Sequence, residues 1–266
     1  MHLVAPRNKS VDDVRADEAC TACHERPHGR DRTSPSLLGG ALAVQFGGRA
    51  RVELCPSSFR PCARLIVRAV FLTFEGIDGS GKSTQAQLLA RALRADGREV
   101  ATTREPGGTP LGERIRELLL NGQDMSPWAE AALFAAARAE LVEQVIAPAL
   151  ESGKVVVCDR YVDSSLAYQG IARGLGVDEV LQLNEHATGG LFPDRTFLVL
   201  VDLATAAARA RSPDRIEREG GEFQRKVDQA YRELATMFPD RIATVDGDRA
   251  ADDVAEEIRG RIRQLS

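Results

Sequence analysis

A glycine-rich turn at residues 76–83 restricts what this 266-residue chain can fold into more than any other feature. Its sequence, GIDGSGKS, fits the pattern G-x-x-x-x-G-K-[ST]. The turn follows the apolar run VFLTFE at residues 70–75 and begins a helix predicted over residues 81–96. Glycines let the backbone curl so that successive N–H groups point inward, and the helix N-terminus adds a partial positive charge. The turn therefore predicts a phosphate-binding loop between a buried strand and a helix.

The polar residues at the end of this turn have defined roles in nucleotide chemistry. We expect the Lys82 ammonium group to reach the β- and γ-phosphates of ATP and the Ser83 hydroxyl to ligate Mg²⁺. Asp159 ends a buried strand, where such enzymes hold a carboxylate near the metal, and Asp78 is a further candidate ligand. The predicted ATP-binding residues are Gly76, Ile77, Asp78, Gly79, Ser80, Gly81, Lys82, Ser83 and Thr84.

Proteins with this loop include GTPases, motor ATPases and small-molecule kinases. A GTPase would carry an N-K-x-D guanine motif, and the sequence has none, since Asn8-Lys9 is followed by Ser-Val. The pattern therefore favours a kinase.

Continuous apolar runs alternate with helical patterns along the second part of the chain. The predicted strands cover residues 70–75, 99–103, 154–159, 195–202 and 242–246. Further helices are predicted over residues 111–121 and 127–152 and after the last strand. Strands that are apolar throughout and separated by helices indicate a parallel sheet covered on both faces. We expect a three-layer α/β/α fold with a five-stranded parallel sheet over residues 69–266.

Residues 1–68 differ in composition from the rest of the chain. They are rich in Gly, Pro, Ser and Arg, with no lasting periodicity, and are predicted to be mostly disordered. The stretch CTACH contains Cys20, Cys23 and His24 and matches a haem-attachment pattern, and with His28 it could also form a zinc site. Chance occurrence is the favoured interpretation, since no export signal or supporting fold is visible. A misassigned initiation codon is a further alternative.

Charge and hydropathy exclude several classes of protein. No apolar run is long enough to span a membrane, and the N-terminus lacks the apolar core of a secretory signal, so a cytoplasmic protein is expected. Residues 1–68 contain 11 Lys+Arg and 7 Asp+Glu, whereas residues 69–266 contain 24 and 32. An acidic folded part argues against nucleic-acid binding, because such binding needs a basic field.

Four further stretches carry recognisable motifs. TREPGGT at residues 103–109 follows the second strand, LFAAAR at 133–138 lies in the long helix, DRYVDSSLAYQG at 159–170 begins as the third strand ends, and RARSPDRIEREGGEF at 209–223 lies beyond the fourth strand. Ligands of open α/β sheets bind at the carboxyl ends of the strands, and we expect these stretches to meet there. Together with EGIDGSGKST, these stretches resemble the thymidylate kinase family in motif order over residues 70–266. The resemblance implies the nucleoside monophosphate kinase fold, Mg²⁺-dependent phosphorylation of dTMP to dTDP by ATP, and a homodimer formed through helices such as that at residues 129–150.

The resemblance also implies the residues that bind dTMP. Phe134 and Arg138 are four apart and share a helix face, which suits a ring stacked on thymine and a guanidinium on its O4 atom. Ser165 is placed near the pyrimidine N3, and Tyr168 against the sugar, where it would crowd a 2′-hydroxyl. The other implied acceptor-site residues are Ser164, Gln169, Arg104 and Pro106, the last in a cis peptide bond, with Arg160 on the acceptor phosphate. Simple capping or core packing is the alternative for these residues.

Transfer between two phosphates needs positioned cations rather than a general base. Lys82 and Arg160 supply two of them, and the phosphate-binding loop contains no further basic residue before Lys82. The resemblance therefore implies a bacterial-type lid at about residues 209–223 that supplies the remaining arginine, with Arg215 first and Arg211 second in preference. A solvated charge run is the alternative. Another nucleoside monophosphate kinase or a deoxynucleoside kinase remains an alternative function, as does a haem- or zinc-binding protein with a kinase attached.

Overall fold

The computed structural model describes residues 69–209 and 215–263. In this part of the chain, five parallel strands form one sheet in the order β2-β3-β1-β4-β5. The strands are β1 (Val70–Glu75), β2 (Val100–Arg104), β3 (Val155–Asp159), β4 (Arg195–Leu200) and β5 (Ile242–Asp246). The predicted five-stranded parallel sheet is therefore confirmed, and the predicted strand boundaries differ from these by two residues or fewer.

Helices connect the strands on both faces of the sheet. The α-helices are α1 (Lys82–Ala95), α2 (Pro110–Asn121), α3 (Pro127–Leu141), α4 (Ala147–Glu151), α5 (Val162–Ser165), α6 (Val177–Thr188), α7 (Leu203–Arg209), α8 (Gly221–Met237) and α9 (Ala251–Ile262). Two begin at a predictable cap: Thr109 accepts a hydrogen bond from the Gly112 amide before α2, and Ser126 accepts one from the Ala129 amide before α3. In both helices a proline occupies the first position, where its missing N–H has no cost.

The single helix predicted over residues 127–152 is interrupted. Between α3 and α4 the backbone forms a wide π-helical turn, Val142–Ile146. Pro148 follows this turn and has no N–H to donate to the carbonyl of Gln144 four residues earlier. A second π-helical segment, Leu166–Ala172, continues α5 through the AYQG sequence. Hydrophobic spacing alone does not distinguish these wide turns from an α-helix.

Alternate side chains of β1 enter two separate cores. Leu72 and Phe74 pack with residues of α1 and α9 on one face of the sheet. Phe71 faces the other side, where its ring lies edge-on to Tyr161 and packs in the larger core, to which α8 contributes. Each of these four side chains is at most 1% exposed. The sheet is thereby covered on both faces, as a parallel sheet requires.

The strand order places the two motif-bearing strands side by side. β1 is the central strand and leads into the glycine turn, and β3 pairs with it and ends at Asp159. β2 lies on the other side of β3 and leads into the REPGGT loop. Three predicted motifs therefore emerge at one edge of the sheet, beside the point where the strand order reverses.

Some predictions fall outside the described residues. They include the disorder of residues 1–68, the CTACH pattern and the side chain of Arg211. Among the described helices, none has the length and apolar character needed to cross a bilayer.

Candidate active site

The glycine turn folds tightly against a neighbouring helix. Gly79 has a φ of 81°, a backbone conformation that favours glycine. A Cβ atom at this position would lie 2.2 Å from the carbonyl oxygen of Ala206 in α7. The turn then leads through Gly81, at φ 93°, into the N-terminus of α1. The backbone geometry is that of an anion-binding loop at a helix N-terminus.

Lys82 lies at the start of α1 with its side chain turned back over the loop. Its Nζ atom is 3.0 Å from Asp78 Oδ1 and 3.3 Å from the carbonyl oxygen of Ile77. Burial lowers the pKa of Lys82, and the charge of Arg160 adds to this, while Asp78 opposes it. Burial alone would raise the pKa of Asp78, but Arg160 and Lys82 outweigh burial and lower it. The Lys82 charge is therefore held in place by an ionised carboxylate.

Ser83 and Asp159 form the candidate cation site. The Ser83 hydroxyl donates to Asp159 Oδ2, and Asp159 Oδ1 is buried without a hydrogen-bond partner in the described part of the chain. A hydroxyl beside a carboxylate with a spare oxygen suits Mg²⁺, which binds through one or two protein oxygens plus phosphates and waters. Among the described residues, no three His, Cys, Asp or Glu side chains are grouped closely enough to bind a metal without such outside ligands. The donor set fits a nucleotide-bound Mg²⁺.

Arg160 extends from the end of β3 toward the loop. It has a φ of 69°, which is unusual for a residue with a side chain. Its Nη2 atom is 2.6 Å from Asp78 Oδ1, and its guanidinium carbon lies 5.5 Å from the centre of the Tyr168 ring. Burial alone would lower the pKa of Arg160, but Asp78 and other groups raise it well above its ordinary value. Arg160 is thus a fixed cation beside the phosphate-binding loop.

A cavity of about 250 Å³ opens beside these residues. Residues from six separate stretches of the chain line it. The predicted site residues among them are Asp78, Lys82, Ser83, Arg104, Pro106, Phe134, Asp159, Arg160, Ser164, Ser165, Tyr168 and Gln169. The Glu105–Pro106 peptide bond is cis, as predicted. The structure therefore brings together the donor-side and acceptor-side residues that the sequence separates by many positions.

Arg138 occupies a different place from Phe134. Phe134 lines the cavity, whereas the Arg138 side chain is 1% exposed and is not among the lining residues. Its guanidinium forms an ion pair with Glu105, at 2.7 Å, and donates to the Ser165 hydroxyl, at 3.0 Å. It also donates to Asn184 and to the carbonyl oxygen of Tyr161. Arg138 thus lies directly behind Glu105 and Ser165, both of which line the cavity.

Arg215 is also buried, and its guanidinium group contacts other protein groups. Its Nη2 atom lies 2.6 Å from Glu130 Oε2, and its Nε–H donates to the carbonyl oxygen of Leu119 at 2.8 Å. Glu130 also accepts a hydrogen bond from Gln169, which lines the cavity. Burial alone would raise the pKa of Glu130, but the hydrogen bonds from Gln169 and Arg215 and the charge of Arg173 lower it. Arg209, at the end of α7, donates to the carbonyl oxygen of Gly247.

Several residues of the site were not predicted. Glu105, Arg116, Leu120 and Ile216 line the cavity, and Glu75, Glu130 and Tyr231 contact lining residues from behind. Asn184 accepts a hydrogen bond from Arg138, which lies behind the cavity wall. Glu105 and Glu75 adjoin predicted residues within quoted motifs, so the sequence contains a signal for them. Asn184 and Tyr231 lie on α6 and α8, whose ordinary amphipathic patterns give no such signal.

The glycine loop with its buried lysine and the serine–aspartate pair open onto a cavity that residues of the acceptor motifs also line. This arrangement is that of a phosphotransferase of the phosphate-binding-loop class. The sequence model described as thymidylate kinase matches residues 74–258. The chain belongs to the thymidylate kinase family, which confirms the predicted family and fold class.

Individual relatives agree with this assignment. The thymidylate kinase of Symbiobacterium thermophilum is 49% identical over 203 residues, covering 74% of this chain and 94% of the relative. That of Pelotomaculum thermopropionicum is 50% identical over 190 residues, covering 69% of this chain and 88% of the relative. The crystal structure of thymidylate kinase from Ehrlichia chaffeensis superposes with a TM-score of 0.63 at 34% identity, over 74% of this chain and 99% of that one.

Proposed function

We propose that the protein transfers the γ-phosphoryl group of ATP to the phosphate of dTMP, giving dTDP and ADP. One observation carries this proposal. A single cavity is lined by Lys82 and Ser83 of the phosphate-binding loop and also by Phe134 and Arg160 of the acceptor motifs. Donor and acceptor bound there would lie close enough for direct transfer, without a covalent enzyme intermediate.

Different positively charged side chains bind the donor and the acceptor phosphates. Lys82 and the backbone N–H groups of residues 76–84 hold the ATP phosphates, and Arg160 holds the dTMP phosphate. The attacking oxygen of dTMP is already ionised at neutral pH, so it forms the new P–O bond while the bond to the ADP oxygen breaks, and no base is needed. A lid arginine, Arg215 or Arg211, would neutralise charge on the group in transit.

The resident metal assigned to this site is Mg²⁺. Ser83 and Asp159 would hold it, and Asp78 ranks behind them because its carboxylate is shared by Lys82 and Arg160. When bound, Mg²⁺ neutralises charge on the β- and γ-phosphate oxygens.

The residues that line the cavity support specific contacts to the base and sugar of dTMP. Phe134 would stack on thymine, with Arg138, Ser165 and Gln169 at the polar end of the base. The Arg138 side chain is held behind Ser165 and donates a hydrogen bond to its hydroxyl. Arg138 therefore contacts thymine directly only if one of these two side chains moves, and otherwise acts on the base through the Ser165 hydroxyl. The ring of Tyr168 would lie against the deoxyribose, and the remaining proposed contacts are Ser164, Arg104 and Pro106.

A homodimer in the cytoplasm completes the proposal. Large apolar side chains at Leu111, Leu118 and Trp128 are between 45% and 54% exposed, on α2 and at the start of α3. Such exposed apolar groups favour a helix-mediated contact with a second protomer. ATP, the phosphoryl donor, is supplied in the cytoplasm.

An acceptor panel tests the activity. Full-length protein with ATP and Mg²⁺ is assayed for ADP release with dTMP, dUMP, CMP and thymidine as acceptors. We expect dTMP to give the highest kcat/KM, dUMP a lower value, and thymidine none, because no carboxylate is proposed as a base for its neutral hydroxyl. Faster turnover of CMP would contradict the substrate assignment, and turnover of thymidine would contradict the reaction class.

A further inference from the structure

Glu75, the last residue of β1, is a fully buried carboxylate that accepts four hydrogen bonds. Its Oε1 atom accepts from the backbone amides of Tyr161, at 2.7 Å, and Ser164, at 3.2 Å. Its Oε2 atom accepts from the Ser164 hydroxyl, at 2.6 Å, and from the Tyr231 hydroxyl, at 2.8 Å. The carboxylate therefore joins β1, the segment after β3 and α8 at one point.

These contacts determine the direction of two hydroxyl groups. At pH 8, above its pKa, Glu75 is ionised and can only accept hydrogen bonds. Each hydroxyl has one hydrogen, so both hydrogens then point at Glu75. The oxygen lone pairs of Ser164 and Tyr231 are then free to face a donor. Arg160 Nη1 is that donor, at 3.1 Å from Ser164 Oγ and 3.0 Å from the Tyr231 oxygen.

Glu75 acts on Arg160 mainly through these hydroxyls. Its Oε2 atom is 4.0 Å from Arg160 Nη1, beyond hydrogen-bond range. With Asp78 on Nη2, three of the five guanidinium N–H groups are directed to described protein acceptors. Two remain for the acceptor, which is the number that a bidentate phosphate contact uses.

We propose that Tyr231 and Glu75 are positioning residues that orient the Arg160 guanidinium toward the phosphate of the acceptor. This inference rests on the proposed function, because it takes Arg160 to bind the dTMP phosphate. Tyr231 belongs to none of the sequence motifs and does not line the cavity. Packing of α8 against the segment Leu166–Ala172 brings the Tyr231 hydroxyl to Arg160 and Glu75.

The test compares two ligands that differ by one phosphate. Tyr231→Phe removes the hydroxyl and keeps the ring, and calorimetry at pH 8 measures the Kd of dTMP and of thymidine. We expect dTMP binding to weaken on the order of tenfold, because a hydrogen bond to a charged group is lost. Thymidine, which has no phosphate, should bind within about twofold of wild type, since that contact is absent in either protein. A general loosening of the core would weaken both ligands alike.

Tyr161→Phe is the matched control. Tyr161 is equally buried, and its hydroxyl donates to the carbonyl oxygen of Leu191 rather than facing Arg160. It should leave the ratio of the two Kd values unchanged. Glu75→Gln is a second variant in case Tyr231→Phe does not fold, because an amide can donate as well as accept and no longer directs both hydroxyls. It should produce the same selective loss for dTMP.

Each outcome separates this inference from the function on which it rests. If wild-type protein fails to phosphorylate dTMP, the proposed function is wrong. The positioning role is wrong if wild type is active but Tyr231→Phe and Glu75→Gln weaken thymidine binding as much as dTMP binding. It is also wrong if these two variants show the same ratio of Kd values as the Tyr161→Phe control.

Discussion

Arg215 and Glu130 form an ion pair in which both side chains are less than 5% exposed and Nη2 lies 2.6 Å from Oε2. Glu130 also forms an ion pair with Arg173, which in turn reaches Glu219 at 2.7 Å. The predicted lid arginine is thus held on the acceptor side of the cavity in this conformation. To act on the transferred phosphoryl group, Arg215 has to leave Glu130, whereas Arg211 lies outside the described residues.

Arg215→Ala should lower kcat by about 100-fold or more, while the dTMP Kd changes only a few-fold, because the charge matters mainly in the transition state. Steady-state kinetics together with calorimetry measure the two effects. An unchanged kcat would remove Arg215 from the catalytic assignment.

Glu130→Gln is the matched variant for this prediction. If Arg215 acts after leaving Glu130, weakening the pair leaves kcat within a few-fold of wild type. A fall in kcat as large as that of Arg215→Ala would instead mean that the pair serves to anchor residues 215–219, and that Arg211 is the better catalytic candidate.

Asp159→Asn should raise the Mg²⁺ concentration needed for half-maximal activity by about tenfold or more, since a charged metal ligand becomes neutral with little change in shape. The measurement is a Mg²⁺ titration of the initial rate at saturating ATP and dTMP. The Kd of dTMP without metal serves as the control and should stay close to wild type. An unaltered Mg²⁺ requirement would exclude Asp159 as a ligand.

Phe134→Ala should weaken dTMP binding by about 1–3 kcal/mol, the usual contribution of an aromatic ring stacked on a base. The ring lines the acceptor end of the cavity, so the KM of ATP should not change. Calorimetry measures the Kd of dTMP, and kinetics with varied ATP measure the KM of ATP. Equal losses for both nucleotides would show that the substitution disturbs the fold rather than one subsite.

The stability of the fold should depend on pH through Glu75. Burial raises the pKa of Glu75 from 4.5 to about 7, with the charge of Asp163 adding to this and that of Arg160 opposing it. Between these values the unfolded chain has released a proton that the folded chain retains, so the free energy of unfolding falls as pH rises from 4.5 through 7. Glu75→Gln lacks this titration.

Denaturant unfolding of both proteins from pH 4.5 to 8 checks this sign. The free energy of unfolding of wild type, minus that of Glu75→Gln, should decrease across the interval and level off above pH 7. A difference that increases with pH would contradict this prediction. It would show that the four hydrogen-bond donors lower the pKa of Glu75 by more than burial raises it.

Local sequence patterns determined the strands, the glycine turn and the family. Apolar runs separated by helical patterns predict a parallel sheet without information from distant parts of the chain. The reason is that a strand buried on both faces needs apolar residues at every position. The turn follows equally local rules, since only glycine tolerates the approach of Gly79 to the carbonyl oxygen of Ala206. The thymidylate kinase resemblance was therefore visible in short stretches alone, in their order along the chain.

Tertiary structure alone decided which side chains stand behind the site. Tyr231 and Asn184 are polar residues on amphipathic helices, and nothing in their own segments distinguishes them from a solvated face. Packing brings Tyr231 to Arg160 and Asn184 to Arg138, and it turns Arg138 and Arg215 inward onto Glu105 and Glu130. Spacing along a helix fixes the face on which an arginine lies, but only the acidic partner that another element carries determines where its charge is held.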